Sequence, residues 1–170
     1  DFPLPNGSLD RGIFSIYMMN LVRLEPGQAT FQDAGVPHAY LEGTNVELMA
    51  CSDNVLRGGL TPKHVDVPEL LKITKFEGEQ PDIQQGESVS DSETVYRTPA
   101  KDFELSRFRY SDANSQELNS GDGPEIILAI EGEITLIQSD DQITISPGQA
   151  AYIFPQTTFF VNSPLASTFF

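Results

Sequence analysis

One four-residue turn occurs twice in this 170-residue chain, as Pro26-Gly27-Gln28-Ala29 and as Pro147-Gly148-Gln149-Ala150. The first copy follows Leu24-Glu25 and the second Ile143-Thr144-Ile145-Ser146. Pro-Gly is strong turn punctuation. Gly35, Gly43, Gly58-Gly59, Gly121-Asp122-Gly123 and Gly132 punctuate the rest of the chain. That spacing predicts an all-β sandwich or barrel built as two units related in shape. Asn45 to Ala50 alternates, with Val46, Leu48 and Ala50 on one face of a strand and Glu47 and Met49 on the other. Ile126 to Ile130 is nearly all apolar, as in a strand buried on both faces. Ile134 to Ile137 and Ile143 to Ile145 flank Ser139-Asp140-Asp141, which predicts a hairpin. One helix is expected after Asp66, because Glu69 stands at capping-box spacing and Pro68 falls in the first turn. Its Leu70, Leu71 and Ile73 are expected to pack inward. Ile13 to Leu24 predicts a helical turn followed by a strand over 21–24.

Charge divides the chain unevenly. Residues 1–76 hold nine acidic and six basic side chains, and residues 77–170 hold sixteen and four, giving the net −15. A chain so acidic repels phosphate backbones, which argues against a nucleic-acid partner. Residues 77–94 are rich in acids, Ser and Gln and poor in large apolar side chains, and are expected to form an acidic linker or loop. The expected division is therefore 1–76, the linker 77–94, and 95–170. The run Ile13 to Leu24 is too short and too polar to span a bilayer, so no membrane role is expected. A single cysteine, Cys51, excludes an internal disulfide and fits a reducing cytoplasm. No His/Asn partner pattern accompanies Cys51, so it is expected to be a small structural residue rather than a nucleophile. The chain opens at Asp1 without an initiating Met, which suggests a fragment.

The segment 36–63, VPHAYLEGTNVELMACSDNVLRGGLTPK, gathers the chemistry. It holds an imidazole (His38), a phenol (Tyr40), two carboxylates (Glu47, Asp53) and two cations (Arg57, Lys63). Arg offers a planar fork for phosphate and Lys a compact point charge. Gly58-Gly59 beside Arg57 points to a specific turn. Glu47 and Asp53 are candidates for acid–base work, although Asp53 in Ser52-Asp53-Asn54 suits a turn cap equally well. Tyr40 would share a strand face with His38. His64 stands beside Lys63, a poor setting for a metal cation, and is read as structural.

The blocks Pro37-His38-Ala39-Tyr40-Leu41, Val46-Glu47, Met49-Ala50, Ser52 to Arg57, Gly59 to Lys63 and Asp66 to Leu71 resemble the type I mannose-6-phosphate isomerase (phosphomannose isomerase) family of the cupin superfamily. Tyr96 to Phe108 is similar to the entrance of that family's carboxy-terminal domain. The resemblance implies a tandem cupin, or jelly-roll, architecture with one or two short helices. Residues 1–76 would be the carboxy-terminal part of the catalytic cupin, and 95–170 a second cupin-like domain. That second domain is expected to be metal-free, because Gln156 to Phe160 offers no His where the first unit has His38. The resemblance further implies zinc-dependent interconversion of mannose 6-phosphate and fructose 6-phosphate. His38 would be a zinc ligand, Arg57, Lys63, Asp53 and Glu47 catalytic, and Tyr40, Arg57 and Lys63 in contact with the sugar phosphate. The family's other ligands, a Gln, a second His and a Glu, come from an earlier segment without counterpart here. The missing amino-terminal segment is thus an expected partner, and the chain alone is expected to be inactive. The alternative is a non-enzymatic sugar-phosphate-binding or dimerisation module.

Overall fold

The computed structural model describes residues 6–52, 54–78 and 80–170. The chain is mostly antiparallel strand, with two short helices, and divides into two compact units, Asp1–Gln85 and Gly86–Phe170. The expected all-β class is what is observed.

In the first unit, a 3-10 turn (Arg11–Phe14) runs into helix α1 (Ser15–Met18). Asp10 caps this turn, its carboxylate accepting from the Gly12 amide at 2.8 Å. Strand β1 (Ala29–Thr30) pairs with β2 (Ile83–Gln84) in a two-stranded antiparallel ladder. Helix α2 (Val67–Ile73) starts as expected, with Asp66 accepting from the Glu69 amide at 3.1 Å. Only Leu70 is half-buried on its apolar side. Leu71 and Ile73 are 58% and 46% exposed, against the expectation that they pack inward. No described residue of this unit is fully buried. Nor do the expected strands over 45–50 and 21–24 form, although the helical turn at 11–18 does. Alternation supplies a strand with a face, but a strand also needs a hydrogen-bonded neighbour. Among the described residues this unit offers only the two-residue β1–β2 ladder.

The second unit is a sandwich of strands β3 (Glu87–Ser88), β4 (Glu93–Tyr96), β5 (Leu105–Tyr110), β6 (Asn114–Asn119), β7 (Glu125–Glu131), β8 (Ile134–Gln138), β9 (Asp141–Ile145), β10 (Ala150–Ile153), β11 (Thr158–Ser163) and β12 (Ser167–Phe169). One sheet runs β10-β7-β12-β5-β4-β3 and the other β6-β11-β8-β9, each antiparallel throughout. Ile127, Ala129, Tyr110 and Phe169 of the first meet Ile134, Leu136, Ile145, Phe159 and Val161 of the second in one core. Phe169 stacks on Phe108 at 4.9 Å and meets Tyr110 edge-on at 5.4 Å. Burial, then the charge of Glu93, pushes the Tyr110 phenol up to about 12.

The β8–β9 hairpin closes where expected, with Gln138 paired to Asp141 and Ser139 at φ 53. β7 departs from expectation. Ile127 and Ala129 are buried, whereas Ile126 is 68% exposed, so the strand covers one sheet face only. In an antiparallel sandwich each sheet has an outer face, which a near-continuous apolar run does not reveal. The segment 77–94, expected as a linker or loop, holds β2, β3 and the first residues of β4. Its polar Glu87 and Ser88 form β3, the edge strand of the six-stranded sheet, where polar side chains are well tolerated.

The repeated turn has the same bonding in both units. The Gln28 amide donates to the Glu25 carbonyl at 2.9 Å, and the Glu25 amide donates back to Gln28 Oε1 at 2.7 Å. In the second copy Gln149 and Ser146 do the same, each at 2.9 Å. Gly27 and Gly148 take φ 89 and φ 84, open to glycine and strained for other residues. A strand follows each turn, β1 and β10.

Candidate active site

Three of the expected site residues meet in the first unit. Tyr40 donates its phenol proton to Glu47 Oε1 at 2.8 Å, and His38 Nε2 lies 3.9 Å from the same oxygen. The His38 and Tyr40 rings meet edge-on at 5.9 Å. His38 Nδ1 is 3.1 Å from the Val36 carbonyl. A carbonyl only accepts, so in a neutral ring this contact favours the proton on Nδ1 and a lone pair on Nε2, the tautomer a metal ligand needs. Partial burial, then the bond to Glu47, raises the Tyr40 phenol above its ordinary value. Tyr40 therefore holds its proton and acts as a fixed donor to Glu47. Among the described residues nothing engages Glu47 Oε2.

Arg57 and Lys63 flank a turn that a residue far upstream holds in place. Asp10, already bound to the Gly12 amide, also accepts from the Leu60 amide at 2.8 Å. Leu60 sits at φ 51 and Gly59 at φ 122. A Cβ on Gly59 would lie 2.9 Å from the Gly12 Cα, so the two backbones approach too closely for any side chain. Thus Gly59 has a steric reason to be glycine, and the turn is pinned to the start of the 3-10 turn. Arg57 and Lys63 are exposed, and among the described residues no carboxylate pairs with either. Both guanidinium and ammonium are therefore available to an anion. Asp53 lies outside the described residues. Cys51 is exposed, not packed as a small structural residue would be. Asp10 is the site-building residue that sequence reasoning missed. Its one local signal is an N-cap spacing to Gly12, and its reach to Leu60 is a tertiary contact.

Among the described residues no three His, Cys, Asp or Glu side chains stand close enough to hold a metal ion. His38 and Glu47 are two donors, and a catalytic zinc takes three protein ligands with an open position. The donor set among the described residues does not by itself fit zinc.

No family model matches the chain. Over 151 residues it is 40% identical to the mannose-6-phosphate isomerase of Escherichia coli, a match covering 85% of this chain and 37% of that protein. Over 133 residues it is 41% identical to the mouse mannose-6-phosphate isomerase, covering 75% of this chain and 31% of the relative. The chain is thus similar to the mannose-6-phosphate isomerases. It spans about a third of the length of those relatives, in their carboxy-terminal portion. The fold agrees. The Salmonella typhimurium mannose 6-phosphate isomerase solved with fructose 6-phosphate and zinc matches with a TM-score of 0.57 at 28% identity, over 72% of this chain and 32% of that one. The apo form of the same enzyme matches with a TM-score of 0.56 over the same shares. No described helix is long and apolar enough to cross a membrane.

Proposed function

We propose that this chain is the carboxy-terminal part of a zinc-dependent mannose-6-phosphate isomerase that interconverts mannose 6-phosphate and fructose 6-phosphate in the cytoplasm. The observation that carries the reading is the 40% identity over 85% of the chain, aligned with an enzyme of that name. The residues of the first unit support it chemically. Aldose–ketose exchange moves a proton between C1 and C2 of an open-chain sugar through an enediol-like state. Glu47, held through Oε1 by Tyr40, keeps Oε2 for proton transfer, with Asp53 as the second acid–base candidate. Arg57 and Lys63 bind the phosphate and the negative charge that develops on the sugar oxygens, with Tyr40 lining the same pocket. Zinc, when bound, polarises carbonyl and hydroxyl oxygens. His38 would supply one of its ligands through Nε2, the others coming from sequence beyond these residues. On this reading 1–76 belongs to the catalytic cupin and 95–170 is a metal-free companion domain, joined through 77–94.

The test is a set of substitutions in a full-length enzyme carrying this segment. His38→Ala should lose zinc and activity together. Arg57→Gln should lower kcat by about 10²–10³-fold, the usual effect of removing one charge-stabilising donor. Full zinc occupancy in His38→Ala, or unchanged turnover in Arg57→Gln, would overturn these assignments.

A further inference from the structure

The second unit carries two arginines that its own acids leave unused. Arg107 and Arg109 stand two residues apart on β5, on the sheet face opposite Phe108 and Tyr110. Thr94 of β4 pairs with Arg107, and Thr168 of β12 pairs with Arg109. These residues line an open cleft of about 500 Å³. Unit 2 holds thirteen acidic and four basic side chains, so an ion pair for each arginine would be expected. Arg97 has two, with Glu87 and Glu104. Among the described residues no ion pair engages Arg107 or Arg109.

Arg107 is the more telling of the two. Its Nε is buried without a hydrogen-bond partner, and Nη2 has only a 3.4 Å contact to the Thr94 hydroxyl. A buried guanidinium N–H left unsatisfied is unfavourable, and such groups in folded proteins point to an ion or water held at that place. The backbone there is fixed, because the Arg109 amide donates to the Ser92 carbonyl at 2.8 Å.

We infer that this cleft binds a small phosphate-type oxyanion through Arg107 and Arg109, at a site in the second unit separate from the residues assigned to catalysis. A planar fork on Arg107 matches two oxygens of such an anion, and Arg109 supplies a second charge. Glu131 and Asp91 line the cleft too, and Glu131 already accepts the Thr168 hydroxyl at 3.1 Å. These carboxylates limit the site to a compact anion and exclude an extended polyanion.

The test is a titration of the isotope-labelled 170-residue chain with inorganic phosphate at constant ionic strength, reading the arginine Nε–H resonances. The Arg107 signal should shift saturably. R109Q, which changes an exposed side chain, and R107K, which keeps the charge and removes the fork, should each weaken phosphate at least fivefold. K101Q, with the same change of charge as R109Q, should leave it unchanged. A shift that does not saturate, or an equal loss in K101Q, would overturn the inference. Acetate binding as tightly as phosphate would overturn the ligand class. None of these outcomes depends on isomerase activity.

Discussion

Replacing Asp10 by Ala should release the turn that carries Arg57 and Lys63. The Asp10 carboxylate takes two backbone amides, Gly12 and Leu60, each at 2.8 Å. Asp10 is half-buried, so each bond contributes about 1 kcal/mol net, below the range for fully buried charged acceptors. Losing both leaves the turn less stable by about 2 kcal/mol, or roughly thirtyfold in its opening equilibrium. Leu60 at φ 51 adds to the tendency to open, since a left-handed non-glycine residue is strained by about 1–2 kcal/mol. Amide hydrogen exchange reads this directly. In Asp10→Ala the Leu60 amide should exchange about thirtyfold faster, with the core amides of Ala129 and Val161 unchanged. Asp10→Asn, which keeps one acceptor oxygen, should fall between. Leu60 protection unchanged in Asp10→Ala would refute the clamp.

Phe169→Ala, at a position 1% exposed between Phe108 and Tyr110, should destabilise the second unit by about 3–5 kcal/mol, measured by denaturant unfolding. Gly59→Ala should shift the amide resonances of both Gly12 and Leu60, because the new Cβ meets the Gly12 Cα at 2.9 Å. Burial, then the charge of Glu93, raises Glu125 above its ordinary value, so the folded protein favours its protonated form. That contribution is complete below the unfolded value of 4.5 and is lost as pH rises through the folded one. Glu125→Gln should therefore unfold at a higher temperature than the parent at pH 7 and match it at pH 4.

Local chemistry was legible in the sequence wherever a few adjacent residues decide the structure. The Asp66 cap, the β8–β9 hairpin and both Pro-Gly-Gln-Ala turns depend on contacts within four residues, and all form as read. The run 45–50 failed because a period of two gives a face but not a neighbour, and none of the described residues pairs with it. The all-apolar Ile126 to Ile130 misled for a related reason, since the number of sheets packed on a strand is a tertiary property. At the candidate site, the segment 36–63 revealed the residue types, and the fold brought His38, Tyr40 and Glu47 together. Asp10 was invisible because its partner Leu60 is fifty residues away.

On the proposed reading, this chain supplies His38 to a zinc site whose other ligands lie beyond the described residues. Zinc content and mannose 6-phosphate isomerisation, measured together on the purified 170-residue chain and on a full-length enzyme carrying the same segment, test it most directly. One zinc with turnover is expected in the longer protein, and weak, substoichiometric zinc without turnover in the chain alone. Tight, stoichiometric zinc with turnover in the 170-residue chain would contradict it.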